Sequence, residues 1–388
     1  MKKTMRKRVL AGVVAAGMMV ALMGGCSSSS SPAPSVAADP SAAAAPADTP
    51  AAEQKTYDLK VATIVAMPAY TPAYICEEKG WFEEAGLKYE RLTFSNGPTI
   101  MEASDSWDVA VTGIGGVVAG LMAHDVSVIA AGCDDYKTNR LWARPDSPIV
   151  QAGTGNNTVS DQIYGTADTW RGAQVLCSSG TAQNIMLVEV LKGFGLTTDD
   201  VAFTVMDLPS ANTAFKAGEG DVAASVTAVS FAEDKKNYVA VASGENLNMG
   251  MMSNLVVNNS SLNDPEKREA IKIFLKQYFR AVDWQRENPE EAAEYMSVLF
   301  EDDAYPCDSE IAFQIMKADY QYGLEESYQM MNTKAEGKDY TIMEDKVVQP
   351  LEYFISFGNY PPEAVDKVLD HKFDNSLINE LYKETSGS

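Results

Sequence analysis

The alternation of apolar and polar positions predicts strands and helices in turn from residue 56 onward. Residues 59–66 form an apolar run of strand length, too short for a core helix. Residues 71–85 carry helical spacing interrupted at Gly80, and 88–94 alternate with the period of two of a half-buried strand. Residues 97–104 predict a short helix, 107–112 a strand, 116–123 a helix and 127–132 a strand. That order, β-α-β-α-β-α-β, is the pattern of a mostly parallel sheet covered by helices. A smaller set follows: strand 173–177, helix 181–194, strand 201–206, helix 212–217 and strands 221–226 and 238–242. Residues 140–143 and 149–151 are short and fit either state. From Asp264 the pattern is helical to the end. Asp264 can cap, Pro265 suits the first helical position, and Glu266 suits the positive end of the dipole. Ile271, Phe274, Leu275, Tyr278 and Val282 then share one face. Asn288-Pro289-Glu290-Glu291 restarts a helix in the same way. Further helices are expected at 349–357 and 363–369, separated by Asn359-Tyr360-Pro361-Pro362.

The first 55 residues break this alternation. Lys2, Lys3, Arg6, Lys7 and Arg8 form a basic start, and residues 9–23 are an apolar run, short of the roughly 20 residues a bilayer span needs. Met23-Gly24-Gly25-Cys26 places small residues before a cysteine, as an export signal does. The segment resembles a bacterial lipobox, with Met23 where leucine is usual. That resemblance implies cleavage after residue 25, a lipid on Cys26 and a protein working outside the cytoplasm on a membrane face. A plain secretory signal is the alternative. Residues 26–55 are rich in Ser, Ala and Pro and predict a disordered tether. The remainder exceeds what one core usually covers. We therefore expect a first lobe over 56–137, a second over 138–249, and a return to the first over 250–388.

Charge and composition then remove whole classes of partner. The chain carries 54 Asp+Glu against 31 Lys+Arg, a formal net charge of −23, and loss of the basic leader makes the balance more negative. Nucleic acid, which is held by Lys and Arg on phosphates, is excluded, and so is adhesion through a basic patch to anionic lipid. An anionic small molecule is not excluded, because salt screens a distant field over about 8 Å. Cys76, Cys133, Cys177 and Cys307 show no metal or redox spacing; they can be buried thiols or form up to two disulfides. His124 and His371 have no ligand-spaced partner, so neither a metal nor a cofactor is expected.

In open α/β sheets ligands bind beyond the carboxyl ends of the strands. That rule selects Met67, Pro68, Ala69 and Tyr70 after the first strand, and Thr112, Gly113, Ile114, Gly115 and Gly116 after the third. In the second set it selects Ser178-Ser179-Gly180-Thr181 between a strand and a helix. A glycine-containing turn into a helix offers free N–H groups to a carboxylate, sulfonate, nitrate or phosphate. Ser179 or Thr181 can also serve simply as a helix cap. Gly113-Ile114-Gly115-Gly116 does not fit a dinucleotide fingerprint, since Val118 stands where the third glycine belongs. Asp134 and Asp135 fall near the expected first crossing between lobes and read as a solvated hinge loop.

Four segments carry a family resemblance. Residues 78–87 (EKGWFEEAGL) resemble the segment after the first strand of substrate-binding proteins for nitrate, taurine, aliphatic sulfonates and thiamine-precursor pyrimidines. Asp108-Val109-Ala110-Val111-Thr112-Gly113 resembles the family's strand ending in the cleft. Trp170-Arg171-Gly172-Ala173-Gln174-Val175 with Ser178-Ser179-Gly180-Thr181 resembles its glycine turn. Leu208-Pro209-Ser210 with 217–223 (AGEGDVA) resembles a later turn and strand. The resemblance implies a two-lobe type II periplasmic-binding-protein fold, each lobe a mostly parallel sheet flanked by helices, joined by two crossings. It implies a monomeric solute receptor that closes on a small ligand and docks on an ABC permease with its ATPase. Pro209 enters the site on this basis, and so does Thr227, which stands where the family often has a Trp-Asp-Pro run. Two alternatives remain open: a biosynthetic enzyme on the same fold, of the menaquinone or thiamine-pyrimidine type, and an extracellular sensor module.

Overall fold

The computed structural model describes residues 55–134, 136–225 and 237–387. The leader, most of the tether, Cys26, Asp135 and Thr227 lie outside the described residues.

Two sheets organise the chain. The first holds β1 (Tyr57–Ile64), β2 (Leu87–Phe94), β3 (Val109–Thr112), β4 (Val126–Asp134), β10 (Ser253–Asn258) and β11 (Tyr320–Gln321), in the order β2-β1-β3-β10-β4-β11. The second holds β5 (Arg140–Ala143), β6 (Gln174–Cys177), β7 (Ala202–Val205), β8 (Val222–Ala224) and β9 (Val239–Ser243), in the order β7-β6-β8-β5-β9. The plans match. In each sheet the leading strand pairs in parallel with two others: β1 with β2 and β3, and β6 with β7 and β8. Each sheet also takes in one interior antiparallel strand, β10 between β3 and β4, and β5 between β8 and β9, and β11 adds a second at the edge of the first sheet. Both insertions are the first strand after the chain passes from one sheet to the other. The expected mostly parallel α/β layering is present, with this one antiparallel strand added inside each sheet.

Helices fill the connections. In the first sheet these are α1 (Thr71–Glu78), α2 (Trp81–Glu84), α3 (Gly97–Glu102) and α4 (Ile114–Ala123). The second has α5 (Pro148–Gln151), α6 (Ala167–Trp170), α7 (Ala182–Gly193) and α8 (Leu208–Lys216). The return supplies α9 (Asn259–Asn263), α10 (Pro265–Glu287), α11 (Pro289–Asp302), α12 (Ser309–Ala318), α13 (Leu324–Asn332), α14 (Ile342–Ser356), α15 (Ala364–Leu369) and α16 (Ser376–Ser386). Asp264 caps α10 as its position predicts, its Oδ1 accepting from the Glu266 and Lys267 N–H groups at 2.9 Å each. The predicted face of Ile271, Phe274, Leu275, Tyr278 and Val282 is buried against the first sheet together with Leu59, Val61 and Val109. The opposite side of that sheet, including Ala62 and Ala110, shares a core with Val175, Ile185 and Val241 of the second set. Burial on both sides explains the unbroken apolar runs of β1, β3 and β4.

One open reading is resolved and two expectations need correction. Residues 140–143 form the antiparallel strand β5 and 149–151 belong to the short helix α5. The stretch before Asp264 contains β10, for which no strand was predicted. The long helix α14 begins at Ile342 and runs through Pro350, whereas a proline inside the pattern favours a start near 349. α14 packs on both α4 and α7, so it touches helices of both sheets. The four cysteines named above are all buried thiols.

Candidate functional site

A cavity of about 70 Å³ lies where the two sheets face each other. From the first sheet it is walled by the ends of β1 (Ile64 to Pro68), by Asn96-Gly97-Pro98 after β2, and by Gly113 to Gly116 after β3. From the second sheet come Thr181, Ala182, Gln183 and Leu208, with Asn139 from the crossing into β5. Among the described residues, no charged side chain lines it.

The sequence places helix beginnings on this cavity. Gly113 precedes α4, Thr181 caps α7, and Leu208 opens α8. The first N–H groups of a helix have no acceptor within it, and the helix dipole is positive at that end. In α4 the Gly116 and Val117 N–H groups both turn back to the Gly113 carbonyl, at 3.0 and 3.1 Å. The dipoles of α4 and α7 therefore meet at one small space, an arrangement suited to a negative group.

The glycines permit that approach. A Cβ on Gly97 would stand 2.6 Å from the Gly116 nitrogen, and one on Gly116 would stand 2.3 Å from the Thr112 hydroxyl oxygen. Gly115 meets the Gly180 carbonyl across the gap between the sheets. These glycines pack backbone on backbone. The polar side chains also have local duties. Asn96 caps α3 by accepting from the Thr99 N–H at 3.0 Å. Thr181 donates to the Ser178 carbonyl at 2.9 Å and accepts from the Asn184 N–H at 3.3 Å. Gln183 donates to Asn139 Oδ1 at 2.6 Å, both residues being buried.

The predicted site residues separate into groups. Met67, Pro68, Gly113, Ile114 and Thr181 line the cavity. Tyr70 and Thr112 do not: both are fully buried behind the wall. Tyr70 closes the tight turn from Pro68 and its ring joins the core, while the Thr112 hydroxyl fills the space between Gly97 and Gly116. Ser178 is buried and supplies the carbonyl that Thr181 uses. Ser179 and Gly180 line a neighbouring hollow of about 270 Å³ with Pro98, Gly115, Phe354 and Tyr360. Pro209 lies in a separate hollow with Met206 and Thr213, while its neighbour Leu208 reaches the cavity. Successive helical positions are turned by about 100°, so the two do not share a face. Asn96-Gly97-Pro98 was missed. The rule that selected the loops after the first and third strands applies equally after the second, and Asn-Gly-Pro is a strong turn-to-helix signal. Asn139 and Gln183 carried no comparable signal, and Leu208 carried only that of the resembling segment from which Pro209 was taken. Tyr74 donates to Asp302 at 2.8 Å, away from the cavity, and the His124 ring pairs with the Ser104 hydroxyl at 3.1 Å.

Comparisons with known proteins give partial matches. Residues 158–292 match the family described as NMT1/THI5 like, a stretch that takes in the last two of the four resembling segments. A putative ABC transporter periplasmic binding protein of Brachyspira hyodysenteriae is 25% identical over 238 residues, covering 61% of this chain and 67% of that protein. A putative aliphatic sulfonates-binding protein of Bacillus subtilis is 25% identical over 338 residues, covering 84% and 90%. The solved periplasmic aliphatic sulphonate binding protein SsuA from Escherichia coli superposes with a TM-score of 0.59 at 15% identity, over 82% of this chain and 94% of that one. The chain is NMT1/THI5-like over 158–292, and its fold is that of the periplasmic binding proteins. In this fold the cavity sits between two sheets of matching plan, beyond the carboxyl ends of β1, β2, β3 and β6. The same fold also carries the desulfurization enzyme DSZB, with a TM-score of 0.55 at 11% identity, over 85% of this chain and 99% of that one.

Proposed function

We propose that the chain is the solute-binding component of an ABC importer, closing its two lobes on a small anionic or zwitterionic organic ligand such as a sulfonate or carboxylate. The observation that carries this reading is the convergence of the α4 and α7 N-termini on a cavity whose described lining has no charged side chain. Such a site takes a negative group through backbone N–H donors. Ile64, Val65, Met67, Pro98 and Leu208 give the rest of the ligand an apolar wall. The names of the relatives support a binding role, two of them referring to aliphatic sulfonates. The described lining includes no Ser, Cys, His or Lys, which favours binding over covalent chemistry.

The lobes in this reading are 56–137 with 250–388, and 138–249. Ligand contacts come from Met67, Pro68, Gly113, Ile114 and Thr181, with Asn96, Gly97 and Gln183 added. Ligand shifts the balance between open and closed states by its difference in affinity for the two. Cys26 carries the lipid and residues 27–55 tether a monomeric receptor outside the cytoplasm, within reach of its permease and ATPase. A thermal-shift panel of short sulfonates, carboxylates, neutral amides and amines tests the ligand class. A ligand at 100 times its dissociation constant adds about 2.7 kcal/mol of stability. Stabilisation by an anion is the expected result; a melt that moves only with neutral or cationic compounds overturns the reading.

A further inference from the structure

We infer that Asp303 is a positioning residue for the ligand loop, holding Ala66 in the left-handed conformation that sets the cavity wall formed by Val65, Ala66 and Met67. The inference rests on the ligand site proposed above. Ala66 has φ +49°, a region that residues with a Cβ seldom adopt. It stands just past the end of β1, after the Val65 N–H makes a last bond to the Phe94 carbonyl at 2.9 Å. The Ala66 N–H then donates to Asp303 Oδ2 at 2.9 Å. Asp303 follows α11, and its carboxylate is almost fully buried. Its other oxygen faces Arg91 Nη1 at 3.6 Å, and the Arg91 guanidinium lies over the rings of Tyr70 and Tyr74 at 5.9 and 5.6 Å.

The rest of the loop is held from the same side. Gln321 on β11 donates to the Pro68 carbonyl at 2.9 Å, and Tyr278 on α10 donates to the Ala69 carbonyl at 2.8 Å. Residues 66, 68 and 69 are thus each tied by a buried or nearly buried side chain from the return segment. Backbone strain survives only where its surroundings over-determine it, and it gathers at ligand sites. A buried carboxylate directed at one backbone N–H of a strained residue on a cavity wall meets both conditions.

The test uses the full chain, with ethanesulfonate as the calorimetric probe. Asp303→Ala should weaken binding roughly ten-fold, the scale of one released strained residue. Asp303→Asn keeps only a neutral, weaker acceptor and should lose part of the affinity, less than Asp303→Ala does. Adding Ala66→Gly to Asp303→Ala should restore it, because glycine holds a left-handed conformation without help. Wild-type affinity in Asp303→Ala, or a double variant no tighter than the single one, overturns the inference. If Asp303→Ala does not fold, Asp303→Asn with and without Ala66→Gly carries the test through hydrogen exchange of the residue-66 amide. Exchange there should quicken in Asp303→Asn relative to wild type, and an unchanged rate overturns the inference. If the wild-type chain ignores ethanesulfonate, the choice of a short sulfonate fails separately and the same exchange measurement still decides the role of Asp303.

Discussion

Gly115 and Gly180 touch across the gap between the two sheets: a Cβ on Gly115 would stand 1.9 Å from the Gly180 carbonyl oxygen. Gly180 itself has φ +68° and turns the chain toward α7. Nothing larger than a hydrogen fits between these backbones, so the contact sets how closely the sheets approach.

Gly115→Ala should therefore prop the cleft open. The neighbour it meets is backbone and cannot swing aside. We expect ligand affinity to fall by at least about ten-fold, a larger radius of gyration in solution scattering with ligand present, and little change in the melting of the ligand-free protein. A variant that closes and binds like the parent refutes this.

Thr181→Val should separate capping from ligand contact. The hydroxyl serves both the Asn184 N–H and the Ser178 carbonyl, and losing a cap costs about 1 kcal/mol. Urea unfolding should register that loss. Thr181→Asp restores a cap acceptor and should recover part of the stability, while placing a negative charge at the cavity and abolishing binding of an anion.

Acidification should first stabilise the protein. Burial, together with neighbouring Asp302, raises the carboxyls of Glu77 and Glu78, and burial raises that of Asp303, against the pull of Arg91. A carboxyl raised by folding contributes stability that is full below its unfolded pKa and lost as pH rises through its folded pKa. Glu380 and Glu384 behave oppositely. Hydrogen bonds from Arg268 and Lys272 hold them below the ordinary range, so their contribution is lost as pH falls through it. The melting temperature should peak on the acid side of neutrality. A monotonic fall from pH 7 downward refutes the assignment.

The thiols should be silent. All four described cysteines are buried thiols, and burial pushes the Cys177 and Cys307 thiols up to about 12. A thiol-reactive dye should label the native protein slowly at pH 8 and the unfolded protein fully, and reductant should leave the melting temperature unchanged. Fast labelling of the native chain refutes this.

The alternation of the first half was legible because β1, β3 and β4 are buried on both sides and their helices start at glycines and caps. β10 escaped because its apolar run, Leu255-Val256-Val257, is short and set between Ser253-Asn254 and Asn258-Asn259. It is a strand by virtue of the gap between β3 and β4, which only the fold provides. β5 is similar, with Arg140 at its start and a place between β8 and β9 that its own residues do not announce. At the cavity, positional logic found the loops after β1, β3 and β6, because the carboxyl-end rule needs only strand order. It could not separate Leu208 from Pro209, or Met67 from Tyr70, because those differences are set by helix phase and core packing. Asp303 was out of reach altogether: it is 237 residues from Ala66 in sequence.

The absence of charged side chains from the described cavity lining has a kinetic consequence. An anion approaches a chain of formal net charge −23 against its long-range field, and among the described cavity residues meets attraction at the helix ends. Raising ionic strength shortens the reach of the repulsion and leaves close contacts within a closed cleft nearly untouched. Capture should therefore quicken with salt while release stays constant, the reverse of a receptor that draws its ligand in by opposite charge.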